Sequence, residues 1–274
     1  MITTLERGIQ RRAERLLGSE NLDKLRSARV LIFGVGGVGS WCAECLVRSG
    51  IRHLTMVDSD RVCVTNCNRQ LMATSQTIGQ VKVEAMRARL LQINPDAEIV
   101  ALQQVYNAGN ADSFHMEEYD FIIDAIDSLT EKADLILRAT SLPKHVTFVS
   151  SMGAALRTDP FMVRKAEFWK IKGDALARAL RNKFKRQKTF PARKFYCVYS
   201  EEQPLSNLGE DQPCGTSVCA CAENKSLDAS LSDHDWNARK AQVNGSLCHV
   251  TAIFGMSIAG IVINECVRQG TSKS

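Results

Sequence analysis

The stretch RVLIFGVGGVG (residues 29–39) joins a short apolar run, of the kind found in buried β-strands, to a glycine-rich loop. Glycines permit a tight turn and a close approach of the backbone, so that N–H groups at the start of the following helix can hold phosphate oxygens. Asp58 lies nineteen residues beyond Gly39, at the end of a second apolar run, where an acid suits a ribose hydroxyl. The pattern predicts a nucleotide-binding fold, whose most frequent occupant is a nicotinamide or flavin cofactor.

The polar residues that follow Asp58 favour a different chemistry. Asn66, Arg69 and Lys82 come in close succession, and hydride transfer has no use for them. Attack of a carboxylate on the α-phosphate of ATP, by contrast, builds negative charge on that phosphate and on the leaving pyrophosphate. Cations aimed at these oxygens, with a magnesium ion held by a carboxylate, stabilise such a transition state. The sequence therefore favours adenylate formation over nicotinamide-dependent oxidoreduction.

The stretch from Val30 to Asp127 resembles the adenylating core of the ubiquitin-activating-enzyme-like superfamily. That superfamily includes the enzymes that activate sulfur-carrier proteins in thiamin and molybdopterin synthesis. Five motifs match in order: GVGGVG (34–39), DSD (58–60), NCNRQ (66–70), GQVK (79–82) and DAIDS (124–128). The resemblance implies ATP and Mg²⁺ as cofactors. Together with the alternation of strand-like and helix-like segments, it predicts an α/β fold with a Rossmann-like, mostly parallel sheet and helices on both faces.

The resemblance also implies a role for each matching side chain. Asp58 would bind the ribose, Gln70 would support Arg69, and Asp127 would hold magnesium. Asp127 comes just after the apolar run 121–125, and ligands of open α/β sheets sit beyond the carboxyl ends of strands. We expect three catalytic residues, namely Arg69, Lys82 and Asp127. We expect the nucleotide site to contain Gly34, Gly36, Gly37, Gly39, Asp58, Asp60, Asn66, Arg69, Gln70 and Lys82.

Four further segments narrow the resemblance to one branch. VCVTNCNRQL, ARLLQINPDAEI, DFIIDAIDS and NGSLCHVTAIFG resemble the tRNA threonylcarbamoyladenosine dehydratases, over residues 5–200 and 244–268. That family uses ATP to close the threonylcarbamoyl group on adenosine 37 of tRNA into a cyclic form. The carboxylate is adenylated, and an internal nucleophile then displaces AMP. The alternative is an enzyme that adenylates the C-terminal glycine of a small ubiquitin-like sulfur-carrier protein, and a third possibility is a nucleotide-binding scaffold.

Two predictions about partners follow. In the superfamily, an arginine near the N-terminus reaches into the ATP site of the partner subunit, so we expect a homodimer in which Arg11, Arg12 or Arg15 has this role. The second partner is tRNA. Net charge is only +5, yet residues 161–196 hold twelve Lys and Arg against two acids, a balance that suits phosphate contacts. We expect tRNA to bind through Lys183, Lys185, Arg186 and their neighbours. The alternative is a solvated helix face.

Aromatic side chains interleave with these charges, and they either stack on bases or fill the core. They are Phe168, Trp169, Phe184, Phe190, Phe195 and Tyr196.

Ten cysteines do not indicate a disulfide framework. The N-terminus is charged and has no apolar signal core, so we expect a cytoplasmic protein with reduced thiols. Cys42 and Cys45 are expected to fill the core, and Cys197 to be structural rather than a thioester nucleophile. Zinc at Cys214, Cys219 and Cys221 with His234 or His249 is possible by residue type, but the paired C-x-x-C motifs of the sulfur-carrier enzymes are absent. A sulfur-relay protein is a further candidate partner.

The chain is predicted to form one structural domain that consists of three regions. Residues 1–160 form the adenylation core, 161–246 a basic extension with a long loop that contacts tRNA, and 247–274 a C-terminal helix that packs back on the core. Helices are predicted over 79–94 and 174–184, and strands over 97–102, 121–125 and 146–150. The apolar run 250–263 is short for a membrane span, which needs ~20 residues, so a buried helix is expected.

Overall fold

One seven-stranded sheet organises the chain. The structure is a computed structural model that describes residues 3–209 and 244–268. The strands are β1 Arg29–Phe33, β2 His53–Val57, β3 Glu98–Leu102, β4 Phe121–Asp124, β5 Thr147–Ser151, β6 Val163–Glu167 and β7 Tyr196–Ser200. Their order across the sheet is β3-β2-β1-β4-β5-β7-β6. Neighbouring strands are parallel except at the edge, where β6 runs antiparallel to β7. The predicted α/β fold is confirmed.

Helices cover both faces of this sheet. They are α1 Thr4–Leu17, α2 Ser19–Ser27, α3 Gly39–Arg48, α4 Lys82–Ile93, α5 Leu129–Ser141, α6 Ala175–Gln187 and α7 Cys248–Arg268. Side chains alternate along β1, so that Val30 and Ile32 pack with α2, α3, α4 and α7, whereas Leu31 and Phe33 pack with α5 and α6. Burial on both faces explains why the strands read as continuous apolar runs.

The long apolar helix α7 packs against the start of α3. A Cβ atom on Gly255 would lie 2.4 Å from the carbonyl oxygen of Val38, so only glycine allows this approach. By length and composition α7 is able to cross a membrane, but 56% of its apolar window is buried inside the protein, as expected of a core helix. The predicted buried C-terminal helix is confirmed, although it is longer than the apolar run 250–263.

Several predicted boundaries differ from the observed ones. The helix predicted over 79–94 begins only at Lys82, because the preceding residues pair with the 61–62 segment through the Arg61–Val81 bridge and the bond from the Gly79 N–H to the Val62 carbonyl oxygen. The helix predicted over 174–184 instead spans 175–187, with the Asp174 carboxylate capping its first turn. The strands predicted over 97–102 and 121–125 are each one residue shorter in the structure, and the strand predicted over 146–150 is shifted by one residue at both ends.

The basic extension was predicted as a helix and a loop, and two strands within it were missed. β6 and β7 extend the same sheet beyond β5, so this part of the chain completes the core. β6 carries charged residues because it is an edge strand with exposed positions. The candidate zinc ligands Cys214, Cys219 and Cys221 lie outside the described residues, as does most of the long loop.

Candidate active site

The glycine loop turns sharply between β1 and α3. Gly34 has a φ of 90°, in the region that favours glycine, and a Cβ atom there would lie 2.7 Å from the carbonyl oxygen of Ala125. A Cβ atom on Gly39 would lie 1.9 Å from the carbonyl oxygen of Gly34. The loop therefore passes close to the residues after β4 and leaves N–H groups at the start of α3, as a phosphate site requires.

Asp58 lies at the carboxyl end of β2 and contacts the glycine loop. Its carboxylate accepts a hydrogen bond from the N–H of Val35 at 2.7 Å and another from the N–H of Asp60 at 2.9 Å. Burial raises the pKa of Asp58, and the charge of Lys82 opposes that shift. Asp58 thus braces the loop that it adjoins, and its remaining lone pairs suit a ribose hydroxyl.

Lys82 begins α4 and points at two carboxylates. Its ammonium lies 2.6 Å from Asp60 Oδ2, and the residue is 5% exposed. Burial lowers the pKa of Lys82, but the charges of Asp58 and Asp60 outweigh this effect and raise the pKa above its ordinary value. Lys82 is therefore a permanent, buried positive charge next to the predicted ribose residue.

Arg69 lies in the turn that follows β2. Its guanidinium donates to the carbonyl oxygen of Thr65 at 3.0 Å and to Asn68 Oδ1 at 2.9 Å. Burial lowers the pKa of Arg69, while the charge of Asp127 raises it. The backbone of this turn is tied to α3, because the indole N–H of Trp41 donates to the carbonyl oxygen of Arg69 at 3.1 Å.

Asn66 and Gln70, the two amide residues predicted for the nucleotide site, make different kinds of contact in this turn. Asn66 is buried and its side-chain oxygen accepts from the N–H of Cys63 at 2.9 Å, which fixes the turn. Gln70 lies beside Gly36, and its buried Oε1 has no hydrogen-bond partner. Among the described residues, Gln70 forms no hydrogen bond with Arg69, so its support of Arg69 stays a prediction. A buried amide without a partner next to a phosphate loop is consistent with a ligand at this place.

Asp127 lies two residues past the glycine-contacting Ala125, in the turn after β4. Its side chain is exposed, and its charge acts on both Arg69 and Lys82. These three side chains come from different segments of the chain, and the fold brings their charges close together at the carboxyl end of the sheet. That is the arrangement predicted from the sequence, although their catalytic roles remain predictions.

A buried ion pair beneath Asp127 was missed by sequence reasoning. Lys132 and Asp124 are both fully buried, and their charged atoms lie 2.8 Å apart. Asp124 also accepts from Ser150 Oγ at 2.6 Å and from the N–H of Ile126 at 3.1 Å, while Lys132 donates to the carbonyl oxygen of Ile126 at 2.9 Å. This network fixes the backbone that leads to Asp127. The signal in the sequence was an acid ending an apolar strand and a lysine within the apolar stripe of α5.

The side chains at this site suit a magnesium ion whose ligands come mainly from a bound nucleotide. Within residues 3–209 and 244–268, no group of three His, Cys, Asp or Glu side chains is placed to hold a metal by itself. Mg²⁺ commonly binds through one or two carboxylates together with substrate phosphates. Asp127 would supply such a carboxylate, with Arg69 and Lys82 facing the same phosphates.

The cysteine and aromatic alternatives are now resolved for most residues. Cys42 and Cys197 are buried, and burial raises the pKa of each thiol well above its ordinary value, so both are structural. Cys45 is half-buried, and burial raises its pKa as well. Three of the six aromatics fill the core, namely Phe168, Phe184 and Phe195, whereas the exposed ones are Trp169, Phe190 and Tyr196.

The predicted partner-binding residues lie at the surface. Lys185 and Arg186 are exposed on α6 and Lys183 is half-buried there. On α1, Arg11, Arg12 and Arg15 are all exposed. None of these six forms an ion pair in the described part of the chain, so their charges are available to a partner.

Comparisons with known proteins identify the family of this chain. The model of the ThiF family matches residues 9–271. The tRNA threonylcarbamoyladenosine dehydratase of Haemophilus influenzae is 38% identical over 260 residues, 93% of this chain and 92% of the relative. That of Bacillus subtilis is 38% identical over 194 residues, 71% of this chain and 75% of the relative. The crystal structure of the E. coli tRNA N6-threonylcarbamoyladenosine dehydratase in complex with AMP has a TM-score of 0.80 and 28% identity, over 100% of this chain and 99% of that chain.

Proposed function

This chain belongs to the ThiF family, and from that premise we propose that it uses ATP and Mg²⁺ to cyclise N6-threonylcarbamoyladenosine at position 37 of tRNA. The observation that carries the proposal is the convergence of Arg69, Lys82 and Asp127 beside the glycine loop. The dehydratase relatives of similar length and the AMP-bound neighbour support the choice of substrate. We place the enzyme in the cytoplasm, where it meets tRNA.

The reaction follows from the charges at the site. The substrate carboxylate attacks the α-phosphorus of ATP, the bond to the bridging oxygen breaks, and pyrophosphate leaves. Lys82 and Arg69 stabilise the charge that develops on the phosphate oxygens, and Asp127 would hold a magnesium ion that adds to this charge stabilisation. A nucleophile within the threonylcarbamoyl group then attacks the acyl carbon and AMP leaves. The nucleoside has lost one molecule of water, whose oxygen leaves on AMP.

AMP release tests the proposal directly. The purified protein is incubated with ATP, magnesium and tRNA that either carries or lacks threonylcarbamoyladenosine. We expect AMP only with the modified tRNA, and mass spectrometry of the nucleoside should show the loss of one water. AMP formation that is indifferent to tRNA, or no AMP at all, would contradict the proposal.

The sulfur-carrier alternative finds less support. A thioester-forming enzyme needs an accessible, activated thiol, whereas Cys197 is fully buried and its pKa is raised. The same incubation distinguishes the two functions, because an enzyme of that class would form AMP only with a small protein that ends in glycine.

We propose that tRNA binds along α6. Replacing Lys183, Lys185 and Arg186 together by alanine should weaken tRNA binding and lower the slope of log K against log salt by roughly 2–3, since each lost phosphate contact removes about 0.7–0.9. Binding would be measured at several salt concentrations. Arg87→Ala, on α4 at the opposite sheet face, should leave both quantities unchanged. An unaltered salt slope in the triple variant would mean that α6 is only a solvated face.

We propose a homodimer in which an N-terminal arginine completes the partner's ATP site. Met256 of α7, which is 45% exposed, offers an apolar contact for a second copy. A variant lacking Arg11, Arg12 and Arg15 should be inactive, as should Arg69→Ala. Co-expressed, the two variants should recover about a quarter of the wild-type rate, because half of the dimers are mixed and each mixed dimer has one complete site. Failure to recover activity in isolated mixed dimers would exclude a contribution in trans.

A further inference from the structure

A buried arginine near the candidate site has donors without partners. Arg157 follows β5 by six residues and is 3% exposed, and among residues 3–209 and 244–268 its Nε and Nη1 atoms have no hydrogen-bond partner. Its ion-pair partner is distant, since Nη2 lies 3.9 Å from Asp174 Oδ2. Burial lowers the pKa of Arg157, although a guanidinium remains protonated in proteins. The fold thus keeps a positive charge inside the protein with two unused donors.

Such an arrangement destabilises the protein unless something else uses it. A buried donor without a partner loses its hydrogen bonds to water and gains none in the protein, and the loss is larger when the donor is charged. Buried polar atoms are otherwise almost always paired in folded proteins, so an exception at a candidate site points to a ligand. Arg193 provides the contrast within the same region, since its guanidinium donates to the carbonyl oxygens of Ala139, Leu142, Pro143 and Val146.

Arg157 lies on the side of the glycine loop from which the substrate carboxylate can approach ATP. Asp174 Oδ2, its distant partner, also accepts from the N–H of Gly153 at 3.2 Å, and Gly153 lies two residues beyond β5. β5 pairs with β4, whose end leads to Asp127. Arg69 and Lys82, in contrast, follow β2, on the other side of the glycine loop. A group held near Arg157 therefore approaches the phosphates from the side opposite to these two cations.

The backbone around Arg157 is fixed in advance. Glu202 accepts from the N–H groups of Thr158 and Asp159 at 3.0 Å, and Asp174 caps α6 through the N–H of Ala177 at 2.8 Å. Because this backbone is already ordered, a ligand that binds to Arg157 loses little free energy to ordering the protein, which favours affinity.

We propose that Arg157 binds the carboxylate that is to be adenylated, an inference that rests on the proposed function and names the chemistry of substrate recognition. A guanidinium with free donors forms strong, charge-assisted hydrogen bonds with a carboxylate. The partly exposed small residues at 153–155 precede Arg157 in the chain, and we place the approach of the carboxylate beside them. Through Arg157, the enzyme distinguishes tRNA with the acidic side chain from tRNA without it, whereas α6 grips the phosphates of both.

The test compares wild type with Arg157→Gln, which keeps most of the side-chain volume and removes the charge. Three quantities are measured: the affinity for ATP, the affinities for modified and unmodified tRNA, and kcat/KM with modified tRNA. We expect the preference for modified tRNA to disappear and kcat/KM to fall by roughly 30-fold or more, as for other buried charged partners. The affinities for ATP and for unmodified tRNA should not change.

A matched control and a second variant keep the test decisive. Arg193→Gln should lower the unfolding temperature, because four carbonyl groups lose their donor, but it should keep the preference for modified tRNA. If Arg157→Gln does not fold, Arg157→Lys should raise the KM for modified tRNA and leave the KM for ATP unchanged. An Arg157 variant that folds and retains the wild-type preference overturns the inference. A wild-type protein that is inert towards modified tRNA overturns the proposed function instead.

Discussion

Arg69→Ala and Lys82→Ala should each lower the rate of AMP formation by about 10²–10³, which is the effect of removing one preorganised charge from a reacting oxyanion. Both side chains are held in place before any substrate arrives, Arg69 by Thr65 and Asn68 and Lys82 by Asp60. The measurement is a single turnover at saturating ATP with modified tRNA, so that weaker ATP binding does not affect the result.

Two controls accompany these variants. Arg87→Ala removes an exposed arginine from the same helix as Lys82 and should leave the rate unchanged. Lys82→Arg keeps the charge that Asp58 and Asp60 require, and should therefore retain the unfolding midpoint even if its rate falls. Near-normal single-turnover rates in both alanine variants would show that the charges beside the glycine loop do not act on the reacting phosphate.

The second large effect is expected on stability rather than on rate. Lys132→Met should lower the free energy of unfolding by about 3–5 kcal/mol, because it leaves the carboxylate of Asp124 buried and unpaired. Urea denaturation followed by circular dichroism gives this quantity.

A double variant distinguishes the effect of the unpaired charge on stability from the effect of the altered side-chain shape. Asp124→Asn combined with Lys132→Met should recover part of the lost stability, because asparagine has no charge, keeps one oxygen acceptor for the N–H of Ile126, and can donate its amide N–H to Ser150 Oγ. Lys24→Met, at an exposed i,i+4 pair, should change the midpoint little. If Lys132→Met behaves like Lys24→Met, the buried pair does not hold the turn before Asp127.

The residues of the predicted nucleotide site could be chosen from the sequence because they lie in short, ordered motifs directly after apolar strands, and the structure brings them together. The glycine loop, Asp58 and Asp127 are examples, and parallel strands bring all three to one edge. Sequence reasoning missed the Asp124–Lys132 pair, since a lysine inside a helix stripe normally indicates an exposed position. It also missed β6 and β7, because the basic residues of an edge strand conceal the strand pattern. Arg157 had no signal at all, as its significance depends on burial and on partners that are absent among the described residues.

The packing of α7 has a consequence for the order of events during synthesis. Thr251 lies against Gly37, and Gly255 against Val38, so the phosphate loop rests on a helix that leaves the ribosome long after the loop itself. At 5–20 residues per second, the delay is roughly 10–40 s. During that interval the nascent chain has its glycine motif but not the surface that supports it. Competence to bind ATP is therefore acquired late, and a ribosome-bound chain that stops before residue 248 should not retain the nucleotide.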